Sequence, residues 1–185
     1  QRQPAPHLRR GDGGWDGGSR GAARINRAEA DAIIVEIQRR VNERPGQTIG
    51  VVTFNTQQRD HILNMLDELR QDDAALEAAL SHEDEPLFVK NLENVQGDER
   101  DVILFTLAFA PGANGKVPLN WGPLSRAGGE RRLNVAITRA KEEVVVFCSF
   151  EPHELDLARS SSIGLAHLKD YLLAARNGIE AAGLR

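Results

Sequence analysis

Three short runs in this chain are apolar at nearly every position: TIGVVTF (48–54), VILFTLA (102–108) and VVVFCSF (144–150). A strand with one face in water alternates apolar and polar side chains, so a run without alternation needs cover on both faces. Between the runs lie stretches with helical periodicity. Asn26 and Glu29 have capping-box spacing, Ile33, Ile34, Ile37 and Val41 follow on one face, and Pro45 with Gly46 ends that helix. Ile62, Leu63, Leu66, Leu69, Leu76 and Leu80 mark the stripe of one long helix from Gln57 to Leu80. Leu87 to Val89 is a brief further strand, Arg131 to Ala140 a helix, and Ser162 to Asn177 an amphipathic helix stopped by Gly178. Strands and helices in alternation predict an α/β fold, a mainly parallel sheet with helices on both faces.

The chain has 185 residues, 41% of them hydrophobic, which suits one globular domain. That domain is expected over residues 26–178, after a lead-in at 1–25 and before a short tail at 179–185. The lead-in contains RRGDGGWDGGSRG (9–21), which buries too little to offset chain entropy and is expected to be mobile. With so few aromatics it is a poor candidate for a Gly/Arg-rich nucleic-acid tail. A net charge of −4 excludes a general electrostatic attraction for nucleic acid, so any such contact needs a local stripe. The single cysteine, Cys148, excludes an internal disulfide framework and a multi-cysteine zinc site, and its apolar setting reads as a buried thiol. His61, His82, His153 and His167 have no metal-ligand spacing, so no metal site is expected. No apolar run approaches the ~18 residues of a membrane span. No leader of charged-then-apolar type opens the sequence, and a cytoplasmic location is expected.

A phosphate-binding loop needs the pattern GxxxxGK followed by Ser or Thr. The nearest stretch, GANGK (112–116), lacks the spacing, and Val117 follows its lysine, so it reads as a surface loop. The chain therefore carries no visible cradle of its own for a triphosphate and its magnesium. Two other stretches put charge beside buried strands: NVQGDERDVILF (94–105) and RRLNVAITRAKEEVVVF (131–147). On residues alone, the second is either an amphipathic helix with a solvated basic face or a ligand-facing segment at a strand end.

The string RRLNVAITRAK resembles motif VI of superfamily 1 helicases, in the subgroup of the nonsense-mediated-decay helicase. VQGDERDVI (95–103) resembles motif V of that subgroup, and IGVVTFNTQQRDHI (49–62) resembles motif IV. The three stand in the family's order, and the likeness runs from about residue 24 to 175. It implies a three-layer RecA-like domain of the phosphate-loop NTPase type, the second of a pair, without its own Walker A loop. In such a pair ATP and magnesium sit between the domains, so both need the first RecA-like domain of the same polypeptide.

Residue by residue, the resemblance makes Arg139 the arginine finger, whose always-charged, planar guanidinium suits phosphoryl oxygens. Glu99 matches the glutamate that bonds the nucleotide ribose, and Gly97 supplies backbone shape beside it. Gln96 is expected to link nucleotide and nucleic-acid strand. Gln57 or Gln58 stands for the motif IV glutamine near the nucleotide, the register leaving both open. Arg132 and Asn134 are expected either to orient the finger and tie motif VI to motif V or to serve in packing. Asp101 is read as a local capping or pairing residue. Asn91 and Asn94 are candidates for contacts to single-stranded DNA or RNA, of the kind that position a strand without reading it. The competing readings are a helicase-fold binding module without hydrolysis, a nuclease, and an unrelated doubly wound regulator. DEPLFVK (84–90) is the nearest approach to a paired-carboxylate-plus-lysine nuclease set and reads better as a loop entering a strand.

Overall fold

Neighbouring positions on the central strands face opposite ways, and both sides are covered. In a computed structural model describing residues 6–10, 25–112 and 114–177, Val102, Leu104 and Val145 join one core while Ile103, Phe105 and Val146 join another. Each such enclosed side chain contributes roughly 1.5–3 kcal/mol relative to exposure. The elements run β1 (Pro6–Arg10), α1 (Arg27–Glu43), β2 (Ile49–Thr53), α2 (Thr56–Leu69), α3 (Ala74–Leu80), β3 (Phe88–Asn91), β4 (Arg100–Thr106), α4 (Gly129–Ile137), β5 (Ala140–Cys148) and α5 (Ile163–Asn177). The described strands form a five-stranded sheet in the order β1-β5-β4-β2-β3, with every pairing parallel. Helices α1 to α3 cover one face through Ile33, Ile37, Ile62, Leu66 and Leu76. Helices α4 and α5 cover the other through Leu133, Ala136, Leu165, Leu168 and Leu172. The fold is α/β and three-layered, as the apolar runs require.

Local signals set the boundaries. Asn26 caps α1 by accepting from the Glu29 N–H, and Asn55 caps α2 by accepting from the Gln58 N–H. The single helix expected over 57–80 is two helices. Asp73 starts the second, its carboxylate accepting from the Leu76 N–H, and Arg70 braces the corner on the Glu77 carboxylate at 2.6 and 2.9 Å. Leu66 before the corner and Leu76 after it pack into the same core.

The reading of 1–25 as a mobile lead-in needs correction at Pro6–Arg10, which pairs in parallel with Val144 to Cys148 at the sheet edge. An edge strand is held chiefly by its backbone ladder, so PHLRR needs few apolar residues to take that place. Arg9 adds a 2.9 Å ion pair to Glu36 of α1. Burial pushes the Glu36 carboxyl up, but bonds from Arg39 and Arg40 outweigh it and hold the group below the usual carboxylate range. The rest of that lead-in (1–5 and 11–24), the stop at Gly178 and the tail at 179–185 lie outside the described residues.

Helices α4 and α5 approach through glycine. A Cβ on Gly129 or Gly164 would lie 2.0 or 2.2 Å from the Leu124 carbonyl oxygen, so neither position accepts a side chain without movement. From that contact α4 runs to its end at Ile137 and leads through Thr138 and Arg139 directly into β5.

Candidate functional site

Open parallel sheets ordinarily receive ligands at the carboxyl ends of their strands. Here the charged segments converge at the opposite edge. β4 begins at Arg100 and β5 at Ala140, and these residues lie in register. The Arg100 N–H donates to the Arg139 carbonyl at 3.0 Å. That bond sets Glu99 and Arg139 side by side, with Arg139 Nη1 3.6 Å from Glu99 Oε1. Glu99 is largely exposed, and Arg139 is half-buried, its side chain 21% exposed.

The Arg139 guanidinium lies over the end of its own helix. Nε donates to the Val135 carbonyl at 3.0 Å and Nη2 to Thr138 Oγ1 at 3.1 Å. Unsatisfied carbonyls give a helix terminus partial negative charge, which favours a cation there. A guanidinium has five N–H groups, so further donors on Nη1 and Nη2 are left to meet an incoming oxyanion. The neighbouring Glu99 carboxylate suits a hydroxyl or another cation. Together the pair is equipped to meet a group that bears both anionic oxygens and hydroxyls.

Arg100, which the sequence did not single out, holds this arrangement from beneath. It is buried, Nε and Nη2 donate to the Pro86 carbonyl at 3.1 and 2.9 Å, and Nη1 donates to the Glu99 carbonyl at 2.7 Å. Its guanidinium also stands 4.9 Å from the centre of the Phe88 ring. A cation opening an otherwise apolar strand was the available signal. Asp101, expected to cap or pair locally, instead pairs across to the start of β2, accepting from the Thr48 N–H and hydroxyl at 2.8 and 2.9 Å. Lys141 reaches Glu85 at 2.7 Å, a bond that raises the lysine pKa.

The remaining candidates are spread more widely. Gln96 and Gly97 are exposed on the loop between β3 and β4, and Gly97 has φ +90°, a conformation that side-chain-bearing residues rarely adopt. Arg132 lies two turns before Arg139, directed to the Pro123 and Ala127 carbonyls at 3.4 and 3.5 Å and to Glu93 at 3.9 Å. It therefore serves the turn before α4 and does not touch the Arg139 guanidinium. Gln57 is exposed in the first turn of α2, past the carboxyl end of β2 and so across the sheet from Glu99 and Arg139. Gln58 is buried there: Oε1 accepts from the Asn26 N–H at 2.8 Å, and Nε2 donates to the Asn26 carbonyl at 2.9 Å and Thr106 Oγ1 at 3.2 Å. Asn91 ends β3 at that same carboxyl edge, with Nδ2 3.5 Å from Thr56 Oγ1, and its backbone carbonyl accepts from the exposed Asn94.

The carboxyl edge holds a cluster that the sequence did not reveal. Glu29 supplies half of the expected capping box; its backbone N–H is capped, but its carboxylate turns inward. Oε2 accepts from Thr106 Oγ1 at 2.6 Å and the Ala108 N–H at 2.8 Å, and Oε1 accepts from Ser149 Oγ at 2.8 Å and Asn26 Nδ2 at 3.1 Å. Burial pushes the Glu29 carboxyl up to about 7, against the lowering effect of the Thr106, Ala108 and Ser149 bonds. Ala108 has φ 60°, and its N–H is fixed on that carboxylate. The carboxyl ends of β4 and β5 are thus tied to each other through Glu29. Among the described residues, no group of three or more His, Cys, Asp or Glu is placed to hold a metal ion. Nor is any described helix long and apolar enough to cross a membrane.

Comparison with known proteins bears on what such an edge belongs to. Residues 12–151 match the profile of the AAA domain family. The uncharacterized ATP-dependent helicase MG140 of Mycoplasma genitalium is 41% identical over 137 residues, 69% of this chain and 11% of that protein. Its Mycoplasma pneumoniae homolog is 40% identical over 132 residues, again 69% and 11%. The chain thus spans about a tenth (11%) of the length of these curated relatives. Among solved structures, the C-terminal domain of a possible DNA helicase from Lactobacillus plantarum WCFS1 aligns with a TM-score of 0.38 at 12% identity, covering 80% of this chain and 74% of that one. With its parallel α/β sheet and a family profile that spans well over half its length, the chain belongs to the AAA domain family.

Proposed function

We propose that this domain is the second motor half of a superfamily 1 ATP-dependent helicase or translocase. In this reading Arg139 is the arginine finger and Glu99 the partner of the nucleotide ribose. ATP and magnesium are gripped mainly by a phosphate-loop domain elsewhere in the same polypeptide, and closing the two domains brings Arg139 to the γ-phosphate. Gln96 and Gly97 lie along the nucleotide side, while Asn91 and Asn94 at the other edge serve single-stranded DNA or RNA. Gln57 shares the edge of Asn91, so its task in this reading lies with the nucleic acid and not with the nucleotide. Arg132 supports the start of the finger helix.

The observation that carries the reading is the meeting of Arg139 and Glu99. They are far apart in sequence and come from the two stretches that resemble helicase motifs, yet they stand 3.6 Å apart on an accessible edge. Glu99 is exposed enough to leave Arg139 for an incoming hydroxyl, and the Arg139 guanidinium keeps N–H groups beyond those bonded to Val135 and Thr138. The test is Arg139→Ala in the polypeptide that joins this domain to its phosphate-loop partner. ATP turnover is expected to fall roughly a thousandfold or more while nucleotide binding changes little. Wild-type turnover in that variant would remove the assignment.

A further inference from the structure

We propose that Thr138 is a positioning residue for the Arg139 guanidinium, an inference that rests on the arginine-finger reading above and adds a residue to it. Thr138 closes α4, its N–H donating to the Asn134 carbonyl at 3.1 Å as the backbone leaves helical geometry. Its hydroxyl has two partners. It donates to the Val135 carbonyl at 2.8 Å and accepts from Arg139 Nη2 at 3.1 Å. The first bond fixes the hydroxyl hydrogen, and that leaves the oxygen's lone pairs for the guanidinium.

The same Val135 carbonyl accepts from Arg139 Nε at 3.0 Å. Two of the three guanidinium nitrogens are therefore held by one helical turn, and a planar group held at two points has a defined orientation. Thr138 is β-branched, with few χ1 choices, so its oxygen is a firm anchor. Glu99, the remaining charged neighbour, is a looser contact at 3.6 Å with a side chain 56% exposed. In the proposed reaction Glu99 is engaged by the nucleotide, and the anchors on Val135 and Thr138 remain. An arginine on a long flexible stem gains from such anchoring because less of its freedom has to be lost when the partner domain closes.

Valine matches threonine in shape but lacks the oxygen, whereas serine keeps the oxygen and loses the methyl. ATP hydrolysis by the full polypeptide, with kcat and KM measured separately and melting followed in parallel, tests the role. Thr138→Val is expected to lower kcat about tenfold with KM for ATP nearly unchanged, and Thr138→Ser to stay within about twofold of wild type. Because Thr138 acts through Arg139, Thr138→Val should remove nothing further from the residual rate of Arg139→Ala. A wild-type kcat in Thr138→Val, an equal loss in Thr138→Ser, or an additive loss on top of Arg139→Ala would overturn the inference. Each of those leaves the finger standing, since Arg139→Ala alone would still be inactive. Full turnover by Arg139→Ala would instead bring down the finger reading itself, and the role of Thr138 with it.

Discussion

The two edges of this sheet are held by different kinds of chemistry. At the carboxyl edge Glu29 and Gln58 bond to Asn26, Thr106, Ala108 and Ser149, so that four chain segments (26–29, 58, 106–108 and 149) are joined by buried and part-buried hydrogen bonds of 2.6–3.2 Å. At the amino edge Arg139 faces Glu99 at 3.6 Å, and Lys141 meets Glu85, with all four side chains partly in solvent. A buried network specifies one arrangement, because every unmade bond leaves a desolvated polar group. An exposed ion pair is worth about 0–1 kcal/mol, so it exchanges partners at little cost. At the carboxyl edge, the part around Glu29 and Gln58 is thus given over to stability. At the amino edge the Glu99 carboxylate can exchange partners while Arg139 keeps its bonds to Val135 and Thr138.

The largest expected effect comes from breaking the fixed edge. Glu29→Ala removes the acceptor of four donors at once. The Thr106 and Ser149 hydroxyls can turn elsewhere, but the Ala108 N–H is fixed by its backbone. A loss on the order of 4 kcal/mol is expected from the denaturant midpoint, enough to consume much of an ordinary domain's stability. A loss below about 1 kcal/mol would show that the inward carboxylate holds little together.

The next effect in size is a pH dependence at the same residue. Burial raises the folded pKa of Glu29 from 4.5 to about 7, so the native state keeps its proton over an interval in which the unfolded chain has released it. The stability due to this group is complete below about pH 4.5 and is lost as pH rises through about 7. The whole effect is on the order of 3 kcal/mol. Glu36, whose pKa is lowered, contributes in the opposite sense, losing stability as pH falls. The clean measurement is therefore the difference between wild type and Glu29→Gln, which cannot titrate, followed from pH 4.5 to 8. A flat difference would mean that Glu29 has the same pKa in both states.

Much of the fold was legible because burial on both faces leaves a mark that short sequences can carry. The three apolar runs became β2, β4 and β5, each within a few residues of its expected bounds. Pro6–Arg10 left no such mark, since an edge strand with one apolar residue looks like loop. The break between α2 and α3 was present in principle as the Asp73 cap, but the leucine stripe runs through it. Gln58 was decidable: it stands four and eight residues before Ile62 and Leu66, on the stripe that faces the core, so Gln57 had to be the exposed one. The inward turn of Glu29 was not decidable. A capping glutamate and a buried one share a spacing, and the residues that distinguish them, Thr106 and Ser149, are more than seventy positions away. The same limit applies to the meeting of Glu99 with Arg139, since it depends on β4 and β5 being neighbours in the sheet.

The smallest expected change in stability is at the amino edge, and it sharpens the comparison most. Glu99→Ala removes an exposed carboxylate whose partner keeps its bonds to Val135 and Thr138, so unfolding should shift by less than about 1 kcal/mol. Under the proposed reading the same variant should raise KM for ATP severalfold in the full polypeptide, with a smaller effect on kcat. It should also lose any preference for ATP over a nucleotide lacking its ribose hydroxyls, because a carboxylate left without its hydroxyl partner is what generates such a preference. A functional loss paired with unchanged stability would mean that Glu99 is retained for what arrives from outside the domain. A drop in stability near that of Glu29→Ala would make the amino edge as structural as the carboxyl edge, and the distinction between a fixed edge and a free one would no longer hold.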